Sequence, residues 1–265
     1  MVVVVPARDE GPRIARTVRA LCEQREASGE ALTPDRYEIV VIANNCRDDT
    51  AARARAAVRP GAPVQVLEVA LPDPEAHVVG ARRYAMDEAA RRLRALGSGL
   101  GGGLIVSTDA DSVPEPGWLA ALHAEARAGA EVIGGRILLL PEERAALPAP
   151  LRRVHLQDTG YRWLAARLQS RLAPDPHDPW PHHHQHFGAN LALTLEAYEA
   201  VGGLPDVPAL EDVALVQALR RLDARLRHSP AARVHTSART GGRVQTGLST
   251  QLQEWAARPA HTDSD

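Results

Sequence analysis

Two carboxylates one residue apart, Asp109 and Asp111, stand where the apolar run Leu104-Ile105-Val106 gives way to Ser107-Thr108-Asp109-Ala110-Asp111. Side chains alternate faces along a strand, so positions i and i+2 point to one side and both carboxylates can reach a single hard cation. Mg2+ or Mn2+ takes one or two protein carboxylates and fills its shell with substrate phosphate oxygens and water, so the spacing suits the grip of a diphosphate. The same triplet also arises as a cap or turn in a chain with 33 acidic residues, and its meaning depends on its neighbours.

Other chemistry-bearing residues lie farther along. Leu210-Glu211-Asp212 opens an apolar helical pattern, where acidic residues in isolation serve as caps at the positive end of the helix dipole. Val234-His235-Thr236-Ser237-Ala238-Arg239-Thr240-Gly241-Gly242-Arg243 sets a glycine-rich turn between two arginines, a chemistry suited to closing a loop over phosphates. His182-His183-His184-Gln185-His186 follows the proline-rich Pro174-Asp175-Pro176-His177-Asp178-Pro179-Trp180-Pro181. His182 and His186 would share a face of a helix and could bind zinc, but the prolines argue for a loop and against a dedicated metal site.

Composition excludes several functions. The chain has 265 residues, 45% of them hydrophobic, enough for one large domain with a real core. It contains no lysine, so all 31 basic residues are arginine, and P-loop, kinase-type, Schiff-base and pyridoxal-phosphate chemistries are ruled out. A net charge of −2 offers no field for a polyanion and argues against nucleic acid as partner. The opening Met1-Val2-Val3-Val4-Val5-Pro6 lacks the flank and length of a secretory signal, no apolar run spans a bilayer, and Cys22 and Cys46 are too few for a disulfide framework. The expectation is a soluble, cytoplasmic protein.

The elements that must position these residues follow a repeated grammar of short β-branched run, turn and Ala/Arg/Leu-rich helix, the pattern of parallel strands with crossover helices. Strands are predicted at Val2-Val5, Glu38-Ala43, Val64-Val69 and Leu104-Ser107, and helices at Pro12-Glu26, Thr50-Val58 and about Val78-Leu96. In an open α/β sheet, ligands gather beyond the carboxyl ends of the strands. Pro6-Ala7-Arg8-Asp9-Glu10, Asn44-Asn45-Cys46-Arg47-Asp48-Asp49 and Asp109-Ala110-Asp111 therefore converge on one crevice. Gly97, Gly99 and Gly102 have the spacing of a dinucleotide fingerprint but follow a helix and precede a strand, the reverse of what that fingerprint needs.

With these motifs in their order, residues 2 to 250 resemble the family 2 glycosyltransferases of the GT-A fold. The resemblance implies an α/β fold with an open, mostly parallel twisted sheet flanked by helices and a smaller acceptor-side region. Residues 1–258 would form a single catalytic domain, with a nucleotide-binding half at about 1–112, an acceptor half at about 113–258, and a disordered tail at 259–265. It implies a metal-dependent, inverting transfer of a sugar from a UDP- or GDP-linked donor to an unknown acceptor hydroxyl. Pro6, Ala7, Arg8, Glu10, Asn44, Asp49, Gly80, Arg82, Asp109 and Ala110 would bind the donor nucleotide. Asn44 stands where many members carry a base-reading aspartate, which leaves the nucleobase open, since an amide donates as well as accepts. Asp109, Asp111 and His235 would hold Mn2+ or Mg2+, and Asp212 would be the general base that takes the acceptor proton. His186, Gly188, Asn190, Glu211, Arg239 and Arg243 would contact acceptor or diphosphate, with Trp180 beside His186 in an acceptor-side loop.

Leu151-Leu172 reads as a basic amphipathic helix, with Leu164, Leu168 and Leu172 at helical spacing among Arg152, Arg153, Arg162, Arg167 and Arg171. A packed stripe beneath solvated arginines is preferred there over contact with an anionic membrane. Two rivals stay open. A sugar-phosphate nucleotidyltransferase would use a similar carboxylate-held metal to attack phosphorus, although Pro6-Ala7-Arg8-Asp9-Glu10 is a poor version of its glycine-rich loop. A non-catalytic nucleotide-sugar-binding protein is the other, and the intact Asp109, Asp111 and Asp212 speak against it.

Overall fold

The computed structural model describes residues 1–72, 77–97, 103–241 and 247–257. Arg243, Gly99, Gly102 and the tail beyond 257 lie outside these residues. The chain begins with β1 (Val2–Ala7), α1 (Gly11–Cys22), β2 (Glu38–Asn44), α2 (Thr50–Ala56), β3 (Val64–Val69), α3 (Val78–Ala95) and β4 (Leu104–Thr108). It continues through β5 (Ser112–Pro114), α4 (Trp118–Arg127), β6 (Val132–Leu139), α5 (Pro141–Ala146), α6 (Ala149–Leu172), β7 (Asn190–Thr194), α7 (Leu195–Ala200), α8 (Glu211–Arg221), β8 (Leu226–Thr236) and α9 (Leu248–Ala257).

All eight strands belong to one sheet in the order β3-β2-β1-β4-β7-β6-β8-β5. The expected parallel order holds from β3 to β4. β7 runs against both β4 and β6, and β5 runs against β8, so the sheet as a whole is mixed. Hydrophobic period identifies a strand but carries no direction, which is why the antiparallel members were not legible.

β1 is apolar throughout and β2 is apolar from Ile39 to Ala43, because helices cover both faces of these strands. Val3 and Val5 of β1 with Ile39 and Val41 of β2 meet Ile14, Val18 and Leu21 of α1, while Val2, Val4, Val40 and Ile42 meet Ala85, Met86, Ala89 and Leu93 of α3. The predicted helix from Pro12 to Glu26 stops at Cys22, because Gln24 leaves the helix to donate to the Glu115 carbonyl (3.1 Å) and accept from the Leu119 amide (3.0 Å). α3 begins where the His77 ring accepts the Gly80 amide, an N-cap that occupies the backbone donor expected to serve a ligand.

The long helix α6 departs from its expected packing. Only Leu151 and Ala166 are buried along it, and Leu164, Leu168 and Leu172 are 59%, 57% and 77% exposed. The periodicity marked a stripe correctly but not whether a neighbour covers it. Its first turns pack with α9 around Leu139, Leu151, Leu252 and Trp255. No helix among the described residues is long and apolar enough to cross a membrane.

Candidate active site

The side chain at the centre of the crevice is Arg82, on the first turns of α3. It is almost wholly buried and spends its N–H groups on four partners: Asp109 Oδ1 (2.9 Å), Glu211 Oε1 (3.0 Å), Ser107 Oγ (2.9 Å) and the Gly188 carbonyl (3.0 Å). Burial alone would favour its neutral form, but the Asp109 and Glu211 carboxylates outweigh it and keep the guanidinium charged. One residue thus joins the end of β4, the start of α8 and the segment entering β7. A Cβ at Gly188 would lie 2.4 Å from the Arg82 Cζ, so a side chain there would displace the guanidinium from this junction.

Asp212, in the first turn of α8, faces the same junction. Its Oδ2 accepts the Gly188 amide (2.6 Å) and its Oδ1 accepts the Val213 amide (2.7 Å), leaving a second lone pair on each oxygen. Burial raises its pKa above the ordinary carboxylate range, opposed by Arg82 and by these two N–H groups. Leu210, immediately before this turn, holds a left-handed conformation (φ 57°), costly for a residue with a Cβ.

Asp109 and Asp111 lie in a turn rather than on the strand, closed by the Ser112 amide donating to the Asp109 carbonyl (3.1 Å). Strand alternation therefore does not set their directions. Each meets its own arginine: Asp109 pairs with Arg82, and Asp111 with Arg239 (2.9 Å), which also holds Glu10 (2.7 Å). Burial and the adjacent Asp109 charge push Asp111 up to about 6. Two repelling carboxylates with hard oxygen donors suit Mg2+ or Mn2+, and Arg239 occupies the cationic place on the Asp111 side. Ala110 turns inward, its carbonyl accepting the Thr17 hydroxyl (2.9 Å).

The β1 and β2 loops are fastened to each other. Pro6 and Ala7 end β1 next to Ile42 and Ala43 of β2, and the Asp9 carboxylate beyond Arg8 accepts the Arg47 amide (2.6 Å). Glu10 donates its amide to Thr50 Oγ1 (2.7 Å), and Asp48 accepts the Gly11 amide (3.0 Å) and the Thr50 amide (3.0 Å). Asp48, missed in the sequence, is the loop's organiser, whereas Asp49 is exposed and pairs with Arg53 on its own helix (2.7 Å). Asn44 is buried at the end of β2, and its Nδ2 has no hydrogen-bond partner among the described residues. Neighbouring Asn45 locks Leu71 through two 3.0 Å bonds.

Several expectations are corrected here. The His235 ring is engaged elsewhere: its Nε2 meets Glu115 (3.0 Å), while adjacent Thr236, on the opposite face of β8, reaches Asp111 (3.4 Å). Asn190 is fully buried and its amide is spent on Trp118 Nε1 (2.8 Å) and the carbonyls of Arg136 (3.0 Å) and Ala232 (2.9 Å), a role in the fold. Glu211 is turned inward onto Arg82 and acts on its position. His186 is half-buried, its Nδ1 3.1 Å from His228 Nε2. Nothing in the 2.0-residue period or in any local motif joins residues as distant as Arg82, Asp109, Gly188 and Glu211. A resemblance across the whole chain was the signal that placed the first two together.

The fold that brings these loops together is shared with known proteins. The family model for glycosyl transferase family 2 matches residues 2–187. The chain belongs to that family. Solved structures share the fold of this family 2 protein at low identity. A mannosyltransferase from Pyrobaculum calidifontis, PcManGT, in complex with GDP-Man and Mn2+, is 20% identical with a TM-score of 0.59, covering 91% of this chain and 57% of that one. TarS 1-349 from S. aureus in complex with UDP-GlcNAc is 14% identical with a TM-score of 0.59, covering 93% and 60%. Glucosyl-3-phosphoglycerate synthase from Mycobacterium tuberculosis with phosphoglyceric acid is 19% identical with a TM-score of 0.50, covering 96% and 77%. The family 2 chain thus spans about three-fifths of the first two structures. No curated protein sequence matches it.

Proposed function

We propose that the protein transfers a glycosyl group from a UDP- or GDP-linked donor to an acceptor hydroxyl, with inversion at the anomeric carbon. The observation that carries this reading is Arg82, which draws Asp109 and the Glu211-Asp212 pair to one buried point. Donor-side and acceptor-side carboxylates then work on the same few ångströms.

Asp109 and Asp111 are the residues that would hold a divalent cation, which when bound stabilises charge on the departing diphosphate. Arg239 would exchange its carboxylate partners for phosphate oxygens as donor arrives, because a guanidinium matches either geometry. Asn44, whose Nδ2 has no partner among the described residues, would turn that N–H to the base edge. Asp212 would accept the acceptor's hydroxyl proton as that oxygen attacks from the face opposite the leaving group. Burial helps, since a carboxylate with a raised pKa is the stronger base.

The neighbours bound to GDP-Man and UDP-GlcNAc support the donor class and leave the base unassigned for this chain. Calorimetric titration with UDP and GDP, with and without Mn2+, tests the reading. Binding that needs the cation and is lost in Asp111→Asn is expected. Failure of both nucleotides in the presence of Mn2+ contradicts it, and pyrophosphate release from a nucleoside triphosphate would favour a nucleotidyltransferase instead.

A further inference from the structure

The proline- and histidine-rich segment between α6 and β7 is packed against β8 through side chains that the transfer chemistry does not use. Asp178, His182 and His228 each present a ligand atom within 4.8 Å of the others, and all three side chains are about nine-tenths buried. The Asp178 carboxylate divides its work. Oδ1 accepts from Arg227 Nη1 (3.0 Å) and from the His228 amide (2.9 Å), which fixes the carboxylate on the end of β8. Oδ2 turns the other way, toward His228 Nδ1 (2.6 Å) and His182 Nδ1 (3.5 Å).

One carboxylate oxygen and two imidazole nitrogens thus converge on one point. We infer that Asp178, His182 and His228 form a site for a zinc-class divalent ion that staples the segment from 173 to 189 onto β8. Zinc binds nitrogen and carboxylate oxygen at about 2.0–2.2 Å in tetrahedral array, which sets its ligands a little over 3 Å apart. His182 Nδ1 is already at that distance from Asp178 Oδ2, and His228 Nδ1 has to withdraw by less than about 1 Å to reach it. His182, whose Nδ1–H otherwise meets the His183 carbonyl (3.3 Å), binds as the tautomer that carries its proton on Nε2.

The surroundings fit a metal site as well as the ligands do. Coordination by His228 Nδ1 leaves Nε2 as an N–H donor, and it faces His186 Nδ1 at 3.1 Å, the kind of outer partner that orients a ligating imidazole. Trp180 lies edge-on to the His182 ring at 5.7 Å and Trp163 edge-on to Trp180 at 5.4 Å, an apolar cover over one side. His183 is committed elsewhere, to the Ser229 carbonyl (3.0 Å) and the Gln185 amide (3.0 Å), and serves as scaffold. Three protein ligands leave a fourth position for water.

This centre is distinct from the carboxylates of the crevice. His228 and Thr236, which reaches Asp111, stand at opposite ends of β8, eight residues and up to roughly 26 Å apart. It also differs in kind, since mixed nitrogen and oxygen donors select transition metals where two carboxylates select Mg2+ or Mn2+. The site was half legible in the sequence: the histidine run contributes His182, but its partners are Asp178 and a residue some 46 positions on, His228, rather than His186.

Cobalt titration of the chelator-stripped full chain tests the site, because Co2+ in a tetrahedral nitrogen and oxygen field absorbs intensely in the visible and six-coordinate oxygen sites do not. One equivalent of strongly absorbing Co2+, displaced by Zn2+, is expected, together with a metal-dependent rise in melting temperature. The band should disappear in His182→Ala and persist in Asp111→Asn. His186→Ala, which removes only the outer partner, should keep the band and weaken affinity about 10–100-fold. Should His182→Ala not fold, Asp178→Asn, nearly isosteric, replaces it with the same expectation. A wild-type chain that gains no such band and no stabilisation, or one whose band survives both ligand variants, overturns the assignment.

Discussion

The two halves of the molecule use polar residues in opposite ways. Around the amino-terminal strands, loops at the ends of β1, β2 and β4 turn their carboxylates toward one another and toward arginines, as Glu10 and Asp111 turn to Arg239. Around β7 and β8, other conspicuous polar residues are spent on the fold itself: Asn190 joins Trp118 to two strands, and Asp178 joins the proline-rich segment to β8. Residue type alone does not separate a reactive group from a buried strut. What separates them is whether the partners are side chains that an incoming ligand could replace or the backbone of the fold itself.

The largest effect is expected at the junction of the halves. Arg82→Ala leaves Asp109 and Glu211 without their buried counter-charge, a loss of roughly 3–5 kcal/mol by denaturant unfolding, with transfer activity gone. A folded variant with unchanged stability would show that the halves are not coupled there. Asn190→Ala should cost about 1–3 kcal/mol by leaving Trp118 and two carbonyls unsatisfied, and alter the acceptor KM no more than its stability loss explains. A raised KM in an equally stable variant would restore Asn190 to the acceptor site.

Gly188→Ala drives a methyl group against the Arg82 guanidinium, and activity should fall at least tenfold while donor binding persists. The smallest effect is expected far from the crevice, where Glu88 pairs with Arg91 and Arg92 on α3 and Arg92 with Glu38 on β2. Glu88→Gln should lower stability by about 1 kcal/mol or less at neutral pH. Its arginines hold Glu88 down at about 2 against an ordinary 4.5, so the folded state favours the carboxylate. That contribution is present above pH 4.5 and is lost as pH falls toward 2, so the two proteins' melting curves should converge on acidification.

The same contrast explains what the sequence disclosed. β1, β2, β3, α1, α2 and α3 are local patterns of apolar spacing, and each lies within a few residues of its predicted bounds. Asp48 rather than Asp49 organises the second loop because the chain turns there through Asn45 in a left-handed conformation (φ 48°), which periodicity does not encode. His235 was placed with the metal by analogy of position, but strand alternation gives that face to Thr236. The leucines of α6 showed a helix with an apolar side and nothing about what covers it. Asp178 and His228 meet across some 50 residues of intervening chain, a pairing that only the folded sheet creates.

In the proposed reaction Asp212 abstracts the acceptor proton while Asp109 and Asp111 serve the donor. The most direct measurement is transfer rate and donor affinity on one preparation of Asp212→Asn, which keeps the side chain's shape and removes its basicity. Transfer should be abolished while UDP- or GDP-sugar binding with Mn2+ stays within a few-fold of wild type. Retained transfer, or loss of donor binding in a folded variant, would contradict it.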